Sequence, residues 1–135
     1  QDVQATQPLS EQLNADNEQS DYVDQQVLQA LVRDTSAEIV PELITLYIED
    51  SQIRIALITE AITKGDFNCL EFETHTLGSS AIAHGNARLH SLARSIELLC
   101  QQNEHAQALE QAQQIAAIAK ESFQQLAQRA KQGFA

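Results

Sequence analysis

Apolar and polar positions alternate with a helical period over most of the chain. Apolar residues recur three or four positions apart in a short segment that starts near Val23, and then over about 35–63, 67–83, 87–102 and 104–131. Short connections between long helices favour antiparallel neighbours. The pattern therefore predicts an all-α fold: an antiparallel four-helix bundle with an additional short N-terminal helix.

Residues typical of helix ends bound the second and longest predicted helix. Thr35 and Glu38 form a Thr-x-x-Glu capping box, and Pro41 is tolerated only close to a helix start. Lys64 and Gly65 follow the last apolar position, where a cation and then a glycine commonly end a helix.

The other predicted helices begin at residues that cap well. Asp21 or Asp24 is placed to cap the first helix, Asp66 the third and Asn86 the fourth. Gly85 is the natural turn residue between the third and fourth helices.

The second helix carries two apolar stripes. The main stripe faces the predicted core and consists of Val40, Leu43, Ile44, Tyr47, Ile55, Ile58 and Ile62. The second lies about 100° or more away and consists of Ile39, Leu46, Ile53 and Leu57. Two explanations remain open: the short first helix covers this second stripe, or a partner protein docks on it.

Composition agrees with a helical bundle. Hydrophobic residues make up 43% of the chain but aromatic residues only 4%. With 4 Gly and 2 Pro, the chain has few residues that break helices or favour turns. A length of 135 residues suits one domain. Residues 1–20 are acidic and Gln-rich, which predicts a flexible leader or linker before a bundle over 21–132.

The charge and cysteine content limit the class of protein. A formal net charge of −11 argues against nucleic acid and anionic membranes as partners. No apolar run is long enough to span a membrane. Cys69 and Cys100 lie far apart without a Cys-x-x-Cys motif, so we expect free thiols in a reducing compartment.

His75 lies on the solvent flank of the third predicted helix. It is about 120° from the centre of the inward face, which is formed by Leu70, Thr74, Leu77 and Ala81. Its neighbours on the same side are Glu71, Gly78, Ser79 and Ile82. Glu71 is spaced to accept a hydrogen bond from the ring. Gly78 either permits close helix packing or leaves open space beside the imidazole.

The segment around His75 resembles the histidine-containing phosphotransfer (HPt) domain. That family shows a helical His-x-Leu-Lys-Gly-Ser-Ser-like run, then a Gly ten residues after the histidine and a Leu four beyond it. This chain matches over His75-Thr76-Leu77, Ser79-Ser80-Ala81, Gly85 and Leu89. Two positions depart from the family pattern: Gly78 replaces the Lys that lies near the phosphoryl group, and Ser79 replaces the following Gly.

The resemblance implies a phosphorelay intermediate, not an enzyme. His75 would accept a phosphoryl group from an aspartyl phosphate of a receiver domain and pass it to another receiver aspartate. The receiver would supply the metal ion, so this chain would need no cofactor or metal of its own. We expect docking at Leu46, Ile53, Leu57 and Ile82, and a monomeric protein.

The resemblance also implies a cytoplasmic location. The acidic leader and the absence of Met at position 1 favour a C-terminal module of a larger hybrid sensor kinase over a freestanding protein.

Three other classes of protein compete with this interpretation. A histidine-kinase dimerisation pair usually has an acidic residue after the histidine, where this chain has Thr76. A di-metal bundle needs Glu-x-x-His pairs, which the sequence lacks. A degenerate HPt-like adaptor, which binds receivers without efficient transfer, is the serious alternative because of Gly78.

Overall fold

A computed structural model describes residues 22–135, so the predicted leader at 1–20 and the cap at Asp21 lie outside it. Six helices occur in the described residues: α1 Gln25–Asp34, α2 Val40–Lys64, α3 Phe67–Ala83, α4 Ala87–Gln101, α5 His105–Ala112 and α6 Ile115–Lys131.

The helices from α2 onward form an antiparallel four-helix bundle in which α5 and α6 together make the fourth member. α3 packs between α2 and α4, and α6 closes the bundle against both α2 and α4. Tyr47 stacks on His84 while Arg54 pairs with Glu73, so α2 and α3 run in opposite directions. The all-α fold and its short N-terminal helix are therefore confirmed.

Leucine, isoleucine and alanine side chains fill most of the core, in line with the predicted stripes. The largest fully buried apolar side chains are Leu28, Val40, Ile44, Ile58, Leu70, Leu77, Leu89, Ile96, Ile115 and Leu126. Close-packed interiors of this kind hold helix positions tightly, so the core fixes the position of α3.

The turn between α3 and α4 anchors the N-terminal helix. Asp24 caps α1 by accepting a hydrogen bond from the amide of Gln26 at 3.0 Å, and its own amide donates to the Gly85 carbonyl at 2.8 Å. Gly85 adopts φ +87°, and a Cβ there would lie 3.2 Å from the Asp24 carbonyl oxygen. Gly85 thus serves the predicted turn and also allows α1 to dock.

The start of α2 differs from the prediction, whereas its end does not. The Thr35 hydroxyl donates to the Leu31 carbonyl at 2.6 Å, so it stays with α1 and forms no capping box. Ser36 accepts instead from the Ile39 amide at 3.2 Å, and α2 begins at Val40 with a proline in its first turn. Gly65, at φ +66°, ends the helix as predicted.

Asn86 precedes α4, but its side chain does not cap that helix. The side chain is fully buried and accepts a hydrogen bond from the Tyr47 hydroxyl at 2.8 Å. Its amide nitrogen donates to the carbonyls of Tyr22 and Ser122. A buried polar group needs such partners, and here they join α2, α6 and the N-terminal segment.

The last predicted helix is interrupted at Gln113 and Gln114. Both residues keep right-handed helical dihedral angles, but the Gln114 amide bonds to the Gln111 carbonyl, one residue closer than in a regular α-helix. This tightened turn separates α5, which packs on α4, from α6, which also reaches α2.

The second apolar stripe of α2 is not covered by the first helix. Ile39, Leu46 and Ile53 are 41%, 56% and 57% exposed, and Leu57 is half-buried. Of the two explanations left open by the sequence, coverage by α1 is therefore wrong for most of the stripe. Within residues 22–135, no helix is long and apolar enough to cross a membrane.

Candidate functional site

His75 lies on the exposed flank of α3, as the helical period predicts. Asp66 caps α3 by accepting from the Cys69 amide at 3.1 Å. The inward residues of α3 are buried, whereas the His75 side chain is 62% exposed. The imidazole is therefore held by a rigid helix and accessible to a large molecule.

One ring nitrogen of His75 is held by a carboxylate from the neighbouring helix. His75 Nδ1 lies 2.8 Å from Oε2 of Glu97 on α4. The sequence suggested Glu71 as this partner, and Glu71 instead borders a polar cavity with Cys100 and Gln101. The geometry favours Glu97 because α4 packs directly beside the flank of α3 that carries His75.

Glu97 is itself fixed from several sides. Its side chain is only 7% exposed, and its second oxygen, Oε1, lies 3.0 Å from Nη1 of Arg94. Gln101 Nε2 donates to Oε2 at 3.4 Å. A buried carboxylate is tolerated when donors surround it, so these contacts hold Glu97 in one orientation against the imidazole.

This contact determines which ring nitrogen of His75 can react. A carboxylate only accepts hydrogen bonds, so Nδ1 carries a proton and donates the hydrogen bond to Glu97. In the neutral imidazole the lone pair is then on Nε2. The site therefore presents one defined nucleophilic atom, Nε2, to the solvent.

Gly78 is a packing residue rather than open space. It is buried, and a Cβ added there would lie 3.5 Å from the Cβ of Ala93. The Gly78 carbonyl accepts a hydrogen bond from His90 Nδ1 at 2.9 Å. Of the two explanations for Gly78, close packing of α3 against α4 is the one that the structure supports.

The remaining predicted residues differ in how much of their surface is exposed. Ser79 is exposed one turn after the histidine, and Ile82 is 39% exposed. On α2, Leu46 and Ile53 are exposed, whereas Leu57 offers less surface to a partner.

Phe72, one turn before His75, is 63% exposed and was not predicted as a site residue. Its position offered a signal, because it lies about 200° around the helix from the buried Leu70. A contiguous exposed apolar patch, rather than one exposed residue, marks an interface, so Phe72 is a docking candidate only together with exposed apolar neighbours.

Glu97 was not predicted as a site residue either. It follows Ala93 by four positions and precedes Cys100 by three, so a carboxylate interrupts the apolar stripe of α4. Charged residues are rarely buried unless they are paired. A glutamate inside a predicted core stripe could therefore have marked Glu97 as a partner for another polar group.

Within the part of the chain that the structure describes, no group of three or more His, Cys, Asp or Glu side chains is arranged to hold a metal ion. The two cysteines are free thiols. Burial and the nearby Glu71 and Glu97 carboxylates raise the pKa of Cys100 to about 11, so its thiol stays protonated near neutral pH.

Comparison with known proteins places this geometry in a family. The model of the Hpt domain family matches residues 42–132, a span that includes His75 and Glu97. The chain therefore belongs to the Hpt domain family. Among curated proteins, none matches the sequence.

Two solved structures share the fold. One is histidine-containing phosphotransfer protein B (HptB) from Pseudomonas aeruginosa PAO1, with a TM-score of 0.72 and 22% identity over 80% of this chain and 96% of that protein. The other is a proposed histidine-containing phosphotransfer protein from rice, with a TM-score of 0.67 and 20% identity over 93% of each chain. At these identities the likeness shows a common fold. Family membership supports a part in a phosphorelay, as the sequence resemblance implied.

Proposed function

We propose that this chain carries a phosphoryl group between receiver domains, with His75 Nε2 as the acceptor atom. The observation that carries the proposal is the hydrogen bond between His75 Nδ1 and the buried Glu97, on a ring that is otherwise exposed. It fixes the tautomer and aims the free lone pair outward.

The transfer conserves atoms and charge. The Nε2 lone pair attacks the phosphorus of an aspartyl phosphate in line with the bond from phosphorus to the aspartate oxygen. That bond breaks as the new N–P bond forms, and the receiver aspartate leaves as a carboxylate. The return step to a second receiver aspartate runs the same sequence in reverse, so this chain is a carrier and not a catalyst with its own turnover.

Glu97 stabilises the phosphorylated ring as well as the neutral one. When Nε2 bonds to phosphorus, Nδ1 keeps its proton and the ring becomes positively charged. The Glu97 carboxylate already lies 2.8 Å from that proton. A hydrogen bond between charged groups is roughly twice as strong as a neutral one, so Glu97 favours the product of the transfer without moving.

A patch of exposed apolar residues gives the receiver a place to dock. Leu46 and Ile53 on α2 and Phe72 and Ile82 on α3 are exposed apolar residues on two helices that pack against each other. The ion pair between Arg54 and Glu73 links these two helices, so α2 and α3 keep a fixed relative position. An apolar patch beside a reactive group suits a transient interface of modest area.

The proposal is tested with phosphorylated receiver domains from the same organism. A labelled receiver is mixed with this protein, and acid-labile, base-stable label is followed on the chain. We expect label on the wild type and none on His75→Gln. His105→Gln is the matched control, because His105 is exposed but stacks on Phe67, and it should be labelled like the wild type.

The same experiment separates the relay from the adaptor. A receiver that binds this chain but leaves no label on it would indicate a degenerate Hpt adaptor, consistent with Gly78 in place of the family's Lys. Label that persists on His75→Gln would show that another residue is the acceptor. A second, unphosphorylated receiver should remove the label from the wild type if the chain is an intermediate.

A further inference from the structure

The helix that carries His75 provides no cation for a phosphoryl group. α3 contains neither Lys nor Arg over Phe67–Ala83. Three residues after His75, where the family has a Lys, this chain has Gly78. A Cβ added to Gly78 would lie 3.5 Å from the Cβ of Ala93. A cation near the phosphoryl group must therefore come from another helix or from the partner.

Two arginines lie on α4, and their surroundings differ. Arg88 lies over the ring of Tyr22, 4.8 Å from its centroid, at the end of the bundle where α1 docks. Arg94 follows Ala93, the residue that faces Gly78, and its side chain is 49% exposed. Of the two, Arg94 is the one that contacts Glu97, the carboxylate bound to His75.

Arg94 reaches the group that holds His75. Its Nη1 lies 3.0 Å from Oε1 of Glu97, while the other oxygen of the same carboxylate lies 2.8 Å from His75 Nδ1. One carboxylate therefore separates the guanidinium from the imidazole. The guanidinium carries five N–H donors in a planar fork that suits phosphate oxygens, and its contact with Glu97 uses one of its nitrogens.

Phosphorylation changes the charge balance at this point. The phosphoryl group adds up to two negative charges beside the buried Glu97 carboxylate, and like charges at short range repel. The permanent positive charge of Arg94 offsets both groups if it extends between them. Partial exposure of its side chain leaves room for that movement.

We propose that Arg94 binds the phosphoryl group on His75 Nε2 and takes the place of the family's lysine from the opposite helix. This role depends on the proposed function, because it requires phosphorylated His75. Gly78 bears on it because it leaves α3 without the family's cation, whereas an added Cβ there would only meet Ala93 at an ordinary contact distance.

The test loads His75 without a receiver. Phosphoramidate phosphorylates accessible histidines directly, and a phosphorus NMR signal that is absent in His75→Gln reports the group at this site. The pH at which the dianionic phosphoryl group takes up a proton to become the monoanion is read from that signal. Four variants at the site and one control variant are compared with the wild type. The four at the site are Arg94→Gln, Arg94→Lys, Glu97→Gln and the Arg94→Gln/Glu97→Gln double variant.

Loss of a cation beside the dianion makes protonation easier. We expect Arg94→Gln to raise the titration midpoint by about half a pH unit or more, and Arg94→Lys to keep it close to the wild-type value. Arg33→Gln is the charge-matched control, because Arg33 is exposed on α1, where it borders a groove with Arg129 and Phe134. It should leave the midpoint unchanged.

The double variant distinguishes contact with phosphate from an effect that passes through Glu97. If Arg94 touches the phosphoryl group, its loss raises the midpoint in the Glu97→Gln background as well. The proposal is wrong if loss of Arg94 shifts the midpoint only when Glu97 is intact. It is also wrong if Arg94→Gln shifts the midpoint no more than Arg33→Gln does. Failure of receivers to label His75 would count against the proposed function and would leave this titration readable.

Discussion

Glu97 Oε2 lies 2.8 Å from His75 Nδ1, so a buried carboxylate on α4 holds an exposed imidazole on α3. The two residues are 22 positions apart in sequence and meet because α3 and α4 pack side by side. A flexible surface histidine would present both tautomers. This contact selects one and makes Nε2 the reactive nitrogen.

The first prediction concerns Glu97. Replacing it with Ala removes the acceptor for Nδ1–H and the charge that stabilises the phosphorylated ring, so transfer from a receiver should slow by on the order of 10-fold or more. Glu97→Gln keeps an acceptor oxygen without the charge and should fall between the two. Rapid-quench measurements of the labelling rate provide the comparison. Equal rates in all three proteins would show that the contact does not assist transfer.

The second prediction concerns Gly85, where α1 docks. Gly85→Ala places a Cβ 3.2 Å from the Asp24 carbonyl oxygen and also forces a left-handed backbone on a side chain. Gly65→Ala is the matched control, because Gly65 has φ +66° but open space around it.

The control should cost about 1–2 kcal/mol of unfolding free energy from backbone strain alone. Gly85→Ala should cost about 1 kcal/mol more because of the added clash. Urea unfolding curves measure both. Equal losses would mean that the close approach of Gly85 and Asp24 adds nothing to the cost of the substitution.

The third prediction concerns the docking surface. Phe72→Ala and Leu46→Ala remove exposed apolar groups on either side of the α2–α3 interface, so each should weaken binding to the cognate receiver by about 5-fold or more. The fold should remain intact, since both side chains are largely outside the core.

Gln107→Ala serves as the control for docking, because Gln107 is exposed on α5, which packs on α4. Titration calorimetry with the receiver gives the affinities. If Gln107→Ala weakens binding as much as Phe72→Ala does, the receiver does not use the surface proposed.

The fourth prediction concerns alkaline pH. Burial raises the pKa of the Cys100 thiol from 9.0 to about 11. The folded state therefore holds this proton more tightly than the unfolded state, and the resulting stability is present below pH 9 and lost as the pH rises to 11. Across that interval, the unfolding free energy should fall more steeply for the wild type than for Cys100→Ala. Parallel curves for the two proteins would contradict the shift.

Most of the fold follows from the sequence because its determinants are local. Asp24, Asp66 and Gly65 act within one turn of the helix ends that they define, and the apolar period identifies the inward faces. The capping box failed for a local reason as well, since the Thr35 hydroxyl has a competing acceptor in the Leu31 carbonyl. Spacing alone does not rank such alternatives.

The site was predictable only in part. The helical period places His75 on an exposed flank, but its partner depends on which helix packs beside that flank. Glu71 is a neighbour of His75 by helical spacing and Glu97 by tertiary packing, and the ring bonds to Glu97. Asn86 shows the same limit: a residue suited to a cap is buried, where it bonds to Tyr47.

The central claim is that Nε2 of His75 accepts the phosphoryl group while Glu97 holds Nδ1. The most direct test is NMR of the protein after phosphorylation by a receiver, with correlations from phosphorus to the ring nitrogens and protons of His75. We expect one N–P signal, assigned to Nε2, with a proton retained on Nδ1. Phosphorus bonded to Nδ1, or to any residue other than His75, would contradict it.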